Sequence, residues 1–548
     1  MPNVTLRSNG SYHVVVADVG SSRSQWNDLA VTRWREDAAL DDCSTYFFVH
    51  DAADSAAWPV PAPPGSSAGD RWIATLSSIE VAADCDVELR RLQLTNHSSH
   101  PRALTITSYS EIVLSPAATD AAHPAFSKLF VETEVDAALG AILASRRPSA
   151  AQDSRPWYFH AAAVHGAKTL MSYETDRMSF VGRGRSVSEA EALCDGAPLS
   201  GQAGAVLDAI AAIRVPLSLE AGASCTIDWF TGIAASRDDC RTLANRCRET
   251  GAGDRIIAQG HAYRDETLRR IGASAADAIA YERLAGSVLY AASDLRADPD
   301  VIAKNERGQS SLWGFGLSGD VPIVLVQVTG SEQLELVNQF VRAHAFWRAH
   351  GIKAELMIVS AAPGPDGDRL LTTVKDAVGA GVGAGQVEKP AGIFMRDDAT
   401  LDDGDRTLLK SVARIAFSES WPRVLVRLEQ RRGAAPQRRR IQELTPATAA
   451  APAAVGVPGQ RVAHNGHGGF APDLREYVVE LSASPMTPAP WTNVIANLEF
   501  GTLVSESGSA TTWSENAHEF RLTPWSNDPV GDANTEAIYI REIGRAHV

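Results

Sequence analysis

Apolar and polar positions alternate with period two through most of the first 235 residues. Tyr12–Val16, Tyr46–Val49, Val87–Leu94, Leu104–Leu114, Leu129–Val135, Tyr173–Phe180 and Thr226–Thr231 are β-branched or alternating runs bounded by Gly, Asn, Ser and Pro, and they predict strands. The stretch LQLTNHSSHPRALTIT predicts two strands around the polar loop Asn96–Arg102. Many strands without intervening helices predict a large antiparallel β-sandwich over residues 1–235.

The period then changes. Residues 236–310 carry Ala-, Arg- and Leu-rich helical segments (DDCRTLANRCRE, DETLRRIGA, YERLAGSVLYAA) and predict a helical connector. Over 311–430 short apolar runs alternate with helical ones: strand Val321–Val328, helix Gln333–His350, strand Ala354–Val359, helix Arg369–Val378, strand Ile393–Met395 and helix Arg406–Phe417. That alternation predicts a small parallel α/β unit. Residues 431–462, rich in Ala, Pro and Arg, predict a linker. Strands return at Tyr477–Leu481, Gly501–Val504 and Ala537–Ile540, so residues 463–541 are expected to start a second β-sandwich.

Composition narrows the function. At roughly 100–200 residues per domain, 548 residues predict several domains. Apolar residues at 45% and charged residues at 21% exclude wholesale disorder. The net charge of −15 speaks against a nucleic-acid backbone or an anionic membrane as partner and suits a neutral ligand such as a sugar. No apolar run is long enough to span a bilayer, and the opening MPNVTLRSNG has no signal-peptide core, so a cytoplasmic location is expected. The six cysteines, all within the first 247 residues and without a C-x-x-C pair, are expected to be inert thiols and not a metal site.

The two ends of the chain resemble each other. Gly20, Trp26, Thr32-Arg33-Trp34, Asp37 and a strand closing on Asp51 are echoed by Gly508, Trp513, Thr523-Pro524-Trp525, Asp528 and a run closing on Glu542. Thr to Trp is two residues in both copies, Trp to Asp three, and Asp to the final acid fourteen. The gap between the tryptophans differs, eight against twelve.

These segments carry a family resemblance. HNGHGGFAPDLREYVVEL (His464–Leu481), TPAPWTNVIANLEFGTLVSESG (Thr487–Gly508) and RLTPWSNDPV (Arg521–Val530) resemble the opening of the large β-sandwich of glycoside hydrolase family 94, the cellobiose-phosphorylase-like enzymes formerly called glycosyltransferase family 36. WNDLAVTRWRED (Trp26–Asp37), LTNHSSHPRALTITSYSEIVLSP (Leu94–Pro116) and DAAHPAFSKLFVETE (Asp120–Glu134) resemble the corresponding sandwich of cyclic β-1,2-glucan synthases. QSSLWGFGLSGDVPIVLVQV (Gln309–Val328) resembles the segment between the sandwiches there and in β-1,2-oligoglucan phosphorylases.

The resemblance implies inverting glycosyl transfer, with inorganic phosphate as co-substrate in the phosphorylases and no other cofactor, and a β-glucan oligosaccharide as ligand. It places the catalytic acid on an (α/α)6 barrel that follows the second sandwich, so no catalytic residue is expected in this chain. Residues 542–548 (EIGRAHV) read like an in-frame sequencing adapter, and a fragment ending after about Arg541 is expected. Two readings stay open: part of a glycosyl-transferring enzyme whose sandwiches bind or orient glucan, or a stand-alone non-catalytic glucan-binding or scaffold protein.

Aromatic–polar clusters are the candidate sugar contacts, since indole faces take apolar C–H faces and carboxylates or guanidinium groups take hydroxyls. They are Arg33, Trp34 and Asp37 in the first copy, Arg521, Trp525, Asn527 and Asp528 in the second, and His123 in its loop. Glu111 and the same-face pair Glu132 and Glu134 offer carboxylates that solvated strand faces explain equally well. Thr329-Gly330-Ser331, after a strand of the α/β unit, could hold an anion, but no G-x-G-x-x-G or G-K-[ST] accompanies it.

Overall fold

The computed structural model describes residues 3–18, 20–35, 44–53, 56–60, 71–148, 150, 155–166, 169–431, 460–481, 486–525, 527–533 and 535–538. Asp37, most of the predicted linker, and residues 539–548 with their expected non-native tail therefore lie outside the described residues.

Two antiparallel sheets face each other over the first 235 residues. One has nine strands and runs Val4–Ser8, Tyr12–Ala17, Ser22–Trp26, Leu29–Thr32, Arg102–Pro116, Ala209–Leu219, Ser172–Asp176, with Tyr46–Asp51 and Ala56–Pro59 branching from the long strand Arg102–Pro116. The other has six: Val131–Asp136, Ala141–Arg146, Trp157–Val164, Ser224–Ala234, Val87–Asn96 and Trp72–Val81. Their inner faces share one core, in which Tyr12, Val14, Phe47 and Ile106 meet Trp72, Leu92, Tyr158 and Trp229. The predicted sandwich is thus present, but its length of chain holds more strands than the alternation revealed. The run Tyr173–Phe180 is a correction: the strand stops at Asp176, whose carboxylate caps the helical turn Arg177–Val181 by accepting from the Ser179 N–H.

The helices after residue 236 pack tightly. Arg237–Cys247 and the start of Ala252–Ile271 cover the outer face of the six-stranded sheet through Cys240, Ala244, Cys247 and Ile256 against Leu89, Leu143, Phe159 and Phe230. Cys240 and Cys247 are free and buried, and burial pushes the Cys240 thiol up to about 12. Ala275–Leu289 lies in a second core shared by the first hairpin (Val4, Leu6, Val15, Ala17) and the α/β unit.

That unit is a four-stranded parallel sheet ordered Ile393–Asp397, Glu355–Ser360, Ile323–Val328, Ala413–Phe417. The predicted helix Arg406–Phe417 is corrected: the helix Asp403–Val412 passes without a loop into the edge strand Ala413–Phe417. Ala413, Ile415 and Phe417 are buried and Arg414 and Ala416 only partly, a period of two that five residues are too few to advertise.

The internal repeat is a structural repeat. The meander Val4–Ser8, Tyr12–Ala17, Ser22–Trp26 recurs as Thr492–Ala496, Phe500–Ser505, Ala510–Ser514 with the same registers: Val4 pairs Ala17 and Thr492 pairs Ser505, Val16 pairs Ser22 and Val504 pairs Ala510. Both second turns use a glycine at positive φ, Gly20 at 96° and Gly508 at 93°, and make the same backbone bonds, to Ala17 (3.0 Å) and Ser505 (3.1 Å). The tryptophans do not correspond, however. Trp26 pairs Tyr12, and the matching pair is Phe500 with Ser514; Trp513 sits one position earlier, opposite Gly501 and on the other face. The predicted strand at Ala537–Ile540 is not seen where it is described: Ala537 and Ile538 are irregular.

Candidate functional site

The site arises from an interrupted sheet edge. Leu29–Thr32 pairs with the long strand from Pro116 to Ile112, and Tyr46–Asp51 takes over the same edge from Tyr109 to Leu104. Between them the Arg33 N–H makes a last bond to the Glu111 carbonyl (3.1 Å), and the chain turns away. Arg33 and Trp34 follow one another at this exit, and both border the same cavity.

Arg33 is 5% exposed and enters a buried charge cluster. Its Nε and Nη2 donate to Asp120 (2.9 and 3.2 Å) and its Nη1 to Glu111 (2.5 Å). Arg177 stands on the other side of Glu111 (3.0 Å) and reaches Asp208 (3.3 Å), which also accepts from Lys128 (2.5 Å). Asp528, from the second repeat, gives both oxygens to Arg177 (2.7 and 3.0 Å). Three cations thus face four carboxylates. Burial favours the neutral form of Glu111, but Arg177 and Arg33 beside it outweigh that and hold its carboxyl well below the usual range. Burial likewise opposes ionisation of Asp528, and the Arg177 fork overrides it and lowers the carboxyl. For Asp208 burial dominates, and the carboxyl is pushed up.

Above the cluster lies a cavity of about 360 Å³. It is lined by Arg23, Gln25, Thr32, Arg33, Trp34 and Arg35 of the first copy, by Ala117, Asp120 and Ala121, and by Pro524, Trp525, Ala533 and Thr535 of the second. The tryptophans of the two Thr-x-Trp motifs, Trp34 and Trp525, therefore line one cavity. Trp34 is held in place: its indole N–H donates to the Tyr290 hydroxyl (3.1 Å), the two rings meet edge-on at 5.9 Å, and the Arg23 guanidinium lies 4.8 Å from the Trp34 ring centre. Asp120 is the one carboxylate lining the cavity among the described residues, and Arg33 occupies both its oxygens.

The other sequence candidates scatter. His123 lies outside the cavity lining, stacked 5.6 Å from His518 of the second repeat. Arg521 is exposed, with its Nε donating to the Ala517 carbonyl (3.0 Å), and Asn527 is exposed in irregular backbone at φ 46°. Neither lines the cavity. Glu132 and Glu134 do share a strand face, each in a partly exposed ion pair, with Arg155 (2.9 Å) and Arg237 (2.7 Å). Arg177, Lys128, Asp208 and Asp120 were missed as members of the cluster. Asp120 opens a motif quoted above, whereas Arg177 sits in a run that looks like strand and carried no signal.

The α/β unit offers no rival cradle after Ile323–Val328. The crevice where that strand and Ala413–Phe417 diverge is plugged by Gln333, which accepts from the Thr329 N–H (2.7 Å) and donates to the Ser418 carbonyl (2.5 Å). No group of three or more His, Cys, Asp or Glu able to hold a metal occurs among the described residues, and no helix there is long and apolar enough to cross a membrane.

The supersandwich domain of glycosyl hydrolase 94 matches residues 1–250 and 475–548, segments that contain the two copies of the repeat. The chain belongs to glycosyl hydrolase family 94. Within that family context it is 29% identical over 570 residues to the cyclic β-(1,2)-glucan synthase NdvB of Rhizobium meliloti (strain 1021), across 99% of this chain and 20% of that protein. The chain thus spans about a fifth of that relative. Among solved structures, a polysaccharide lyase is 12% identical over 44% of this chain and 34% of its own, with a TM-score of 0.25. A bacterial glucoamylase complexed with acarbose is 8% identical over 51% of this chain and 40% of its own, with a TM-score of 0.27.

Proposed function

We propose that this chain is the sandwich region of a glycosyl-transferring enzyme acting on β-1,2-linked glucan, and that it binds and orients the glucan without performing the chemistry. The observation that carries the reading is the cavity in which both copies of the repeat present a tryptophan, Trp34 and Trp525. Indole faces suit the apolar faces of glucosyl rings, and the Arg, Gln and Thr groups around them suit ring hydroxyls. Among the described residues Asp120 is the one carboxylate lining the cavity, and it is committed to Arg33, which leaves it poorly placed to protonate a leaving oxygen. The catalytic acid would then come from elsewhere in the enzyme, on the barrel that the family resemblance implies, with inorganic phosphate as co-substrate if that enzyme is a phosphorylase. A neutral glucan fits the acidic chain, and the cytoplasm is the compartment this reading assigns.

Calorimetric titration with linear β-1,2-glucooligosaccharides tests it, comparing the protein with Trp525→Ala. Loss of one stacking face should weaken binding about tenfold, equivalent to about 1.4 kcal/mol. Equal affinities would remove Trp525 and the cavity from the reading.

A further inference from the structure

One wall of the cavity comes from a segment almost 500 residues downstream of the opposite wall, so whatever docks that segment controls whether the cavity exists. Three residues beyond Trp525, Asp528 grips Arg177 with both oxygens. Arg177 contacts Glu111, Glu111 accepts from Arg33, and Arg33 holds Asp120, which lines the far side of the cavity. A continuous chain of charged contacts therefore runs from Asp528 to the cavity-lining residues Arg33 and Asp120. Further contacts reinforce it. Arg183 reaches Glu506 (2.9 Å) and Asp532 (3.0 Å), and the Gly184 N–H donates to the Val530 carbonyl (2.7 Å). Val530 itself is buried with Phe180, Val181 and Ile210 of the first sandwich.

We propose that Asp528 is a positioning residue: by latching onto Arg177 it docks the second repeat and so assembles the cavity, and a ligand held in the cavity strengthens the same docking. The ligand half rests on the glucan reading above; the latch half does not. Linkage makes the two reciprocal, since a ligand that needs the docked state binds with an affinity reduced by the undocked fraction and in turn draws the segment back. Asp528→Asn keeps the shape but removes the charge, leaving Arg177 to Glu111 and Asp208 alone.

Hydrogen exchange on the 548-residue protein, with and without a linear β-1,2-linked glucose pentamer, reads both halves. In Asp528→Asn, exchange across residues 510–533 should rise about tenfold or more while the core strand Ser224–Ala234 stays protected. Pentamer affinity should fall by the factor by which the docked fraction falls, saturating pentamer should restore protection, and Asp528→Glu should recover part of both. Arg183→Gln tests the second contact should Asp528→Asn fail to fold, with the same direction expected. Unchanged protection of 510–533 in both variants overturns the latch. Weakened pentamer binding with unchanged protection overturns the positioning role, because Asp528 would then act on the ligand itself. Exposure of 510–533 in Asp528→Asn, with pentamer affinity unmoved by either Asp528→Asn or Trp525→Ala, upholds the latch and rejects the glucan reading.

Discussion

Arg33 separates two accounts of the first repeat copy. As a sugar contact, its loss would weaken ligand binding and leave the fold alone. The structure gives it another task. Both edges of its guanidinium are spent on Asp120 and Glu111, and it is one of three cations facing Glu111, Asp120, Asp208 and Asp528. Arg33→Ala removes charge-assisted bonds of about 1.5–3 kcal/mol each and leaves Arg177 and Lys128 against four carboxylates. Truncating one partner of a buried ion network costs about 3–5 kcal/mol. That is a large part of the roughly 5–15 kcal/mol by which a domain is stable. Arg33→Lys, which keeps the charge but loses the planar fork, should fall between the two. Urea unfolding followed by tryptophan fluorescence measures the effect on the sandwich, whose core holds Trp72 and Trp229. A midpoint shift worth less than about 1 kcal/mol, combined with lost oligosaccharide affinity, would return Arg33 to the sugar contacts and refute the structural assignment.

Two further outcomes follow from buried and exposed groups. His160, between Ser108 (2.9 Å) and Thr231 (2.9 Å) and stacked on Trp229, is lowered by burial to about 3, and burial lowers His344 and His350 to about 4. These rings stay neutral in the fold while the unfolded chain takes protons below about pH 6.5, so their stabilisation is complete above that pH and is lost as pH falls towards 4, at about 1.4 kcal/mol per pH unit for each. Urea midpoints at pH 7 and pH 5 should show the loss, with a shallower dependence in His160→Gln; equal slopes in the two proteins contradict it. The strand Thr492–Ala496 is exposed along its whole length, with Val494 57%, Ile495 59% and nearby Leu498 97% exposed, and among the described residues it is an edge of its three-stranded sheet. Val494→Lys with Ile495→Thr should reduce self-association in light scattering; undiminished aggregation would show that this edge is not its source.

The period-two pattern, the switch to helices near residue 236, the α/β alternation and the repeat at the two ends were all legible in the sequence, because each is a local regularity of side-chain polarity. Alanine-rich strands such as Ala141–Arg146 and Ala209–Leu219 were not, since alanine carries no strand preference and their burial against the opposite sheet is a tertiary event. The strand Ala413–Phe417 escaped notice for a related reason: it follows its helix without a loop to mark the change. Local pattern also picked out Arg33, Trp34, Trp525 and Asp528 as chemically notable, but it could not sort their roles. Only the tertiary structure made Arg33 and Asp528 oppositely charged members of one ion cluster and brought Trp34 and Trp525 to the lining of one cavity. Residues some 490 positions apart meet there because docking and register decide it, and neither is encoded in the spacing along a single strand.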